Sequence, residues 1–181
     1  MAKLVSKTYG DALFELGIEK KSIDVLFEEA KFVRRSIAEN EDLLKFLNNP
    51  NIESAEKIET MENIYRQFVS PDMTGFIKHV VSKGRYNSFI DIYDYFIARV
   101  KEYKHIGIVY VTTPKPLSAV QEADVKAKLL ALTDYRELEM NYSVDASLIG
   151  GMVIRIGDRV VDSSIRTKLN EITKDLLSIQ L

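Results

Sequence analysis

The hydrophobic period of this chain changes once, at Ile106, and that change most limits what it can fold into. Upstream, apolar residues recur every three or four positions, the repeat of an amphipathic helix. From Ile106 they alternate, the repeat of a strand. Two periods in separate stretches read as an α+β chain, mainly α: an N-terminal six-helix bundle over 1–104, then a small C-terminal α/β module with a β-hairpin over 105–181. The 181 residues are enough for two small cores.

The first helix carries Val5, Tyr9, Ala12, Leu13 and Leu16, and Gly17 is its expected stop. A second holds Ile23, Leu26, Phe27, Ala30, Val33 and Ile37. A short third ends before Asn48-Asn49-Pro50. Ser54 is the expected cap of a fourth helix with Ile58, Met61 and Tyr65 inward. Ser70-Pro71-Asp72 restarts the chain into a fifth, which stops at Gly84, a natural residue just past a helix end. The sixth turns Phe89, Tyr93, Phe96 and Val100 to one side.

Residues 101–105 are a short polar stretch, either the end of a long sixth helix or a flexible joint, and Ile106 to Thr112 is a β-branched strand. Ser118 with Gln121 is a capping-box pair opening a helix through Val125, Leu129 and Leu132. Leu138, Met140, Tyr142 and Val144 alternate with polar residues, as in a half-buried strand. Gly151 to Ile156, a two-residue Gly157-Asp158 turn of type II′, and Arg159 to Val161 make the hairpin. A helix from about Ser164 closes the chain.

Chemistry is scarce. With no cysteine, thiolate metal sites and cysteine nucleophiles are excluded. His79 and His105 have no partner at ligand spacing, so no metal site is expected. The acidic pairs sit among lysines and arginines on helix surfaces, not in an apolar cleft where one carboxyl would stay protonated. Gly150-Gly151 leads into a strand, not a helix N-terminus, so it is no phosphate cradle; a bulge or close backbone approach is expected. An anion held jointly by Arg155, Arg159 and Arg166 is the enzyme-like alternative. Charge is balanced: 16 Lys and Arg against 17 Asp and Glu through Lys104, then 9 against 10. That argues against a nucleic-acid-binding face. No apolar run approaches a membrane span or a secretory signal.

Two helices are too widely apolar for one core. In the first, Phe14 and Ile18 fall roughly opposite Tyr9, Ala12 and Leu16; in the fifth the stripe runs from Met73 and Phe76 across to Val81. Such helices are either central in the bundle or the walls of a partner groove.

Three stretches resemble the delta subunit of bacterial and chloroplast rotary ATP synthases, related to the mitochondrial oligomycin-sensitivity-conferring protein. They are Tyr9-Gly10-Asp11-Ala12-Leu13-Phe14-Glu15-Leu16; Gly84-Arg85 together with Val111-Thr112-Thr113-Pro114-Lys115-Pro116-Leu117-Ser118; and, most specific, the run from Asp145-Ala146-Ser147-Leu148-Ile149-Gly150-Gly151 to Asp162-Ser163-Ser164-Ile165-Arg166. The resemblance implies a non-catalytic stator subunit without cofactor, present once in a hetero-oligomeric, proton- or sodium-translocating enzyme. It would lie peripherally on the cytoplasmic side of the inner (plasma) membrane. Its N-terminal bundle would sit on the catalytic head and bind N-terminal segments of the alpha subunits between the first and fifth helices. Tyr9, Ala12, Leu16, Phe76 and His79 would line that groove, with Phe14 in the core. The C-terminal module would bind the end of the b subunit, with Gly150, Gly151, Arg155, Gly157, Asp158, Asp162 and Arg166 as its structural signature. Gly10, where the family usually has Ala, and Gly75 are expected to admit close helix approaches.

Overall fold

The computed structural model describes residues 2–179, with side chains from 4 to 177. The chain divides into two units, Met1–Lys101 and Glu102–Leu181. It is mainly α, with an α/β C-terminal part.

The N-terminal unit is built from α1 (Ala2–Glu19), α2 (Ile23–Glu39), α3 (Glu41–Asn48), α4 (Ser54–Tyr65), α5 (Pro71–Ser82) and α6 (Phe89–Tyr103). Their apolar stripes meet in one core that includes Leu13, Leu26, Ile37, Met61, Ile77 and Phe96, all fully buried. Each such side chain contributes roughly 1.5–3 kcal/mol of transfer free energy.

Several helix ends follow local chemistry, and two that the sequence led us to expect do not. Ser70 accepts the Met73 N–H at 3.3 Å and Pro71 takes the first helical position of α5. The Ser70 N–H and hydroxyl both donate to the Glu29 carboxylate of α2, at 2.6 and 2.8 Å, so this cap is also a tertiary tie. Past Ser82, Gly84 adopts φ +66°, and its N–H and that of Arg85 return to the carbonyls of Val81 and Val80. That double closure is a Schellman stop, with glycine at the left-handed position.

The first exception is Gly17, which does not end α1. It is buried inside the helix, where a Cβ would fall 2.8 Å from the Ile23 side chain. Close packing of α1 against the start of α2 requires it, and the turn comes three residues later, with Lys21 at φ 54°. The second is Ser54, which is the first helical residue of α4; Glu53 holds the cap position and makes no side-chain cap.

The C-terminal unit runs β1 (Ile106–Thr113), α7 (Ala119–Ala131), β2 (Glu137–Val144), β3 (Val153–Ile156), β4 (Arg159–Asp162) and α8 (Ile165–Ile179). The sheet order is β2-β1-β3-β4. β1 and β2 are parallel, joined through α7, whereas β3 pairs antiparallel with both β1 and β4. The Ser118–Gln121 capping box opens α7 with both of its hydrogen bonds present. Gly157 alone of the hairpin turn has positive φ, as a type II′ turn needs.

The sheet's core face carries Val109, Val111 and Leu138, with Val125 and Leu129 of α7, Met140, Ile154 and Ile156 packed beside them. Burial fades outward. Tyr142 and Val144, expected inward, are 37% and 55% exposed, and Leu132 at the end of α7 is 82% exposed. Tyr142 still reaches α7, its hydroxyl donating to the Glu122 carbonyl at 3.2 Å.

Candidate partner-binding faces

Helices α1 and α5 run antiparallel. An ion pair joins Lys20, at the end of α1, to Asp72, at the start of α5. Further back on α1 and further on along α5, the Tyr9 and His79 rings meet at 6.0 Å. Between these crossings lie Ala12 and Leu16 on one side, and Gly75 and Phe76 on the other. Ala12, Gly75 and His79 are exposed; Tyr9, Leu16 and Phe76 are half-buried. The five groove residues expected from sequence thus fall on two neighbouring helices, Tyr9, Leu16 and Phe76 half-buried and Ala12 and His79 exposed.

The inward side of α1 is equally defined. Leu13 is fully buried, and Phe14 packs against the core with the Arg99 guanidinium 5.4 Å from its ring centroid. Gly10 does admit a close approach, because a Cβ there would collide with the Tyr95 ring, whose hydroxyl donates to Asp11 at 2.9 Å. Gly75 differs from expectation: no atom of the protein comes within 4 Å of where its Cβ would stand. Glycine in a helix interior costs roughly 0.5–1 kcal/mol relative to alanine, and nothing inside the unit uses the space it leaves.

In the C-terminal unit the signature residues gather where α8 begins. Asp145 accepts the Ser147 N–H at 2.9 Å, and Arg166 donates to the Ser147 hydroxyl at 2.6 Å. Asp162 accepts the Ser164 N–H at 2.8 Å and the Thr167 hydroxyl at 2.7 Å. These donors hold both carboxyls below the ordinary carboxylate range. The Ser147 hydroxyl and N–H dominate for Asp145, and the Ser164 N–H dominates for Asp162; the Arg166 charge adds least to each. The Ser164 hydroxyl caps α8 by accepting the Thr167 N–H at 3.2 Å. Gly151 has φ +75°, and a Cβ on it would strike the Ser163 carbonyl.

Arg155, Gly157 and Asp158 lie outside this cluster. The Arg155 guanidinium stacks 4.5 Å over the Tyr110 ring on the sheet face away from the core. Arg159 pairs with Ile156 and so faces the other way, while Arg166 is held by Ser147. The three arginines do not converge on one anion. Among the described residues, no group of three or more His, Cys, Asp or Glu is placed to hold a metal ion, and no helix is long and apolar enough to cross a membrane.

One face escaped sequence reading. Along α8, Ile165, Leu169, Ile172 and Leu176 repeat at intervals of four, three and four, the spacing of a coiled-coil seam. Their exposures run from 43% to 62%, and Leu177 beside them is 61% exposed. The 4-3-4 spacing was legible in the sequence; that the stripe stays about half exposed was not.

The model of the ATP synthase delta (OSCP) subunit family matches residues 5–176. The ATP synthase subunit delta of Lachnoclostridium phytofermentans is 52% identical over 181 residues, covering all of both chains. That of Brevibacillus brevis is 31% identical, over 93% of this chain and 96% of that one. Among solved structures, a chain of the Toxoplasma gondii mitochondrial ATP synthase hexamer, seen by cryo-EM, superposes with a TM-score of 0.70. It is 20% identical and covers 95% of this chain and 97% of that one, a likeness of fold.

Proposed function

The chain belongs to the ATP synthase delta (OSCP) subunit family, peripheral-stalk components of the F-type ATP synthase, and from that premise we propose that it clamps the catalytic head to the stalk through two separate apolar faces. The N-terminal residues 1–104 act as a six-helix bundle that receives an N-terminal segment of an alpha subunit in the α1–α5 groove. Residues 105–181 receive the C-terminal end of the b subunit along α8. The protein itself is non-catalytic and is held at the cytoplasmic face of the inner (plasma) membrane, one copy per complex, by these contacts.

The observation that carries the head contact is the open space at Gly75 of α5, beside an α1 on which Ala12 is exposed. An amphipathic helix laid in a groove gains most when its backbone comes close and a few large side chains seat between the walls. Tyr9, Leu16, Phe76 and His79 supply those walls. The stalk contact is supported by the α8 stripe, whose spacing suits a second helix packed at a shallow angle. A stator must resist torque and needs affinity without chemistry.

Calorimetric titration of the full chain with a synthetic alpha N-terminal peptide tests the head contact. Binding on the order of nanomolar to sub-micromolar is expected. Tyr9→Asp or Ala12→Asp should weaken it at least about tenfold, or 1.4 kcal/mol, with an unchanged melting temperature. No heat with the unmodified chain, or full affinity in both variants, overturns the groove assignment.

A further inference from the structure

The stretch from Asp145 to Arg166 holds the most specific sequence pattern in the chain, yet apart from Ile165 its residues line neither face just described. We infer that this stretch is a clasp that fixes the direction in which α8 leaves the sheet, so that Ser147, Gly151, Asp162 and Arg166 are positioning residues for the stalk contact. The inference rests on the reading of α8 as the stalk-binding helix.

Three independent ties converge on one turn. The Ile165 N–H donates to the Gly150 carbonyl at 3.0 Å. The Ser163 N–H and hydroxyl both donate to the Met152 carbonyl, at 3.0 and 2.9 Å. Arg166 reaches across to the Ser147 hydroxyl at 2.6 Å. Each side of the clasp is braced by its own carboxylate, Asp145 on the loop and Asp162 at the helix start.

The backbone here is also tightly constrained. Ile149 is held at φ 66°, a left-handed conformation that a β-branched residue adopts only where its surroundings impose it. Gly150 leaves room for the Ile165 side chain, and Gly151 for the Ser163 carbonyl. Ser164, between the two halves, is fully buried, as is Leu148.

The contrast within α8 gives this rigidity its purpose. Beyond the first turn, Leu169, Ile172 and Leu176 are half or more exposed, so packing along the helix does not hold its direction. A helix rooted loosely would sweep a cone and lose that freedom on docking. One rooted firmly presents its stripe in place and binds without that loss.

The chain has no cysteine, so two can be introduced for spin labels without background. Lys126→Cys on α7 and Lys174→Cys on α8 place labels on exposed positions of the two helices. In the full chain, pulsed dipolar spectroscopy should give one narrow distance. Arg166→Ala and Gly151→Ala should broaden it while far-UV helicity stays unchanged, and Arg166→Lys should restore part of the narrowing. A synthetic peptide of the b C-terminal end should bind Arg166→Ala about tenfold more weakly. A broad distance in the parent, or a narrow one in both variants, overturns the clasp. A narrow distance that the variants broaden, with no peptide binding by the parent, upholds the clasp and instead removes the stalk reading.

Discussion

The two units spend their apolar residues in opposite ways. The N-terminal unit closes one core from all of its helices and leaves six large apolar side chains exposed among the described residues, Leu4 and Phe68 most of all. The C-terminal unit, though smaller, leaves sixteen exposed, and its sheet core is three fully buried residues with partial cover from α7. A unit that closes its core takes its stability from within. One that leaves stripes open reaches full stability only when a partner covers them, since anything that binds the folded state alone stabilises it.

The largest test of that difference is core truncation. Phe96→Ala should cost about 3–5 kcal/mol and lower only the transition of the N-terminal unit. Leu138→Ala should cost about 2–3 kcal/mol, the low end for such a change because its half-open surroundings can collapse, and lower only that of the C-terminal unit. Chemical denaturation followed by hydrogen exchange at residues of each unit separates the two. Equal shifts at both sets of residues would break the comparison.

A single kind of substitution should then give opposite signs. Gly151→Ala forces a left-handed residue against the Ser163 carbonyl and should destabilise the C-terminal unit by about 1–3 kcal/mol. Gly75→Ala enters open space inside a helix and should stabilise the N-terminal unit by about 0.5–1 kcal/mol. If Gly75→Ala also weakens the alpha peptide in calorimetry, the space is kept for a partner. Unchanged affinity would leave that glycine without a role.

Surface electrostatics should separate the units least. Arg34 and Asp94 form a two-bonded pair between α2 and α6, at 2.9 and 3.2 Å, but both side chains are 40% or more exposed. Arg34→Ala should shift stability by less than about 1 kcal/mol in a thermal melt. The clasp carboxyls are also solvent-facing. Their folded-state pKa values are depressed, so their contribution is complete above the unfolded aspartate value of about 3.9 and is lost as pH falls through the lower folded value. The label distance between α7 and α8 should therefore hold constant down to about pH 4 and broaden only below it. Broadening between pH 5 and 6 would show that other groups hold the arm.

How much was legible varied with the reach of the interaction involved. The capping box at Ser118, the left-handed stop at Gly84 and the II′ turn at Gly157 could be read directly, because each is closed by residues within a few positions of one another. Gly17 and Ser54 were misread for the same reason turned round. Glycine is a usual helix stop and serine a usual cap, but Gly17 is used for close packing against Ile23, across the turn between α1 and α2, where a Cβ would fall 2.8 Å from the Ile23 side chain, and Glu53 takes the place expected of Ser54.

 

By itself the sequence determined the two hydrophobic periods, the helix and turn boundaries closed by near neighbours, and the family pattern from Tyr9 to Arg166. These depend on backbone conformation and on which residue types stand a few positions apart. Only the tertiary structure decided which apolar residues remain uncovered. Ile77 and Leu169 look alike in a helical repeat, yet one is 1% exposed and the other 50%. Burial is settled by what packs opposite a side chain, and that neighbour comes from distant sequence.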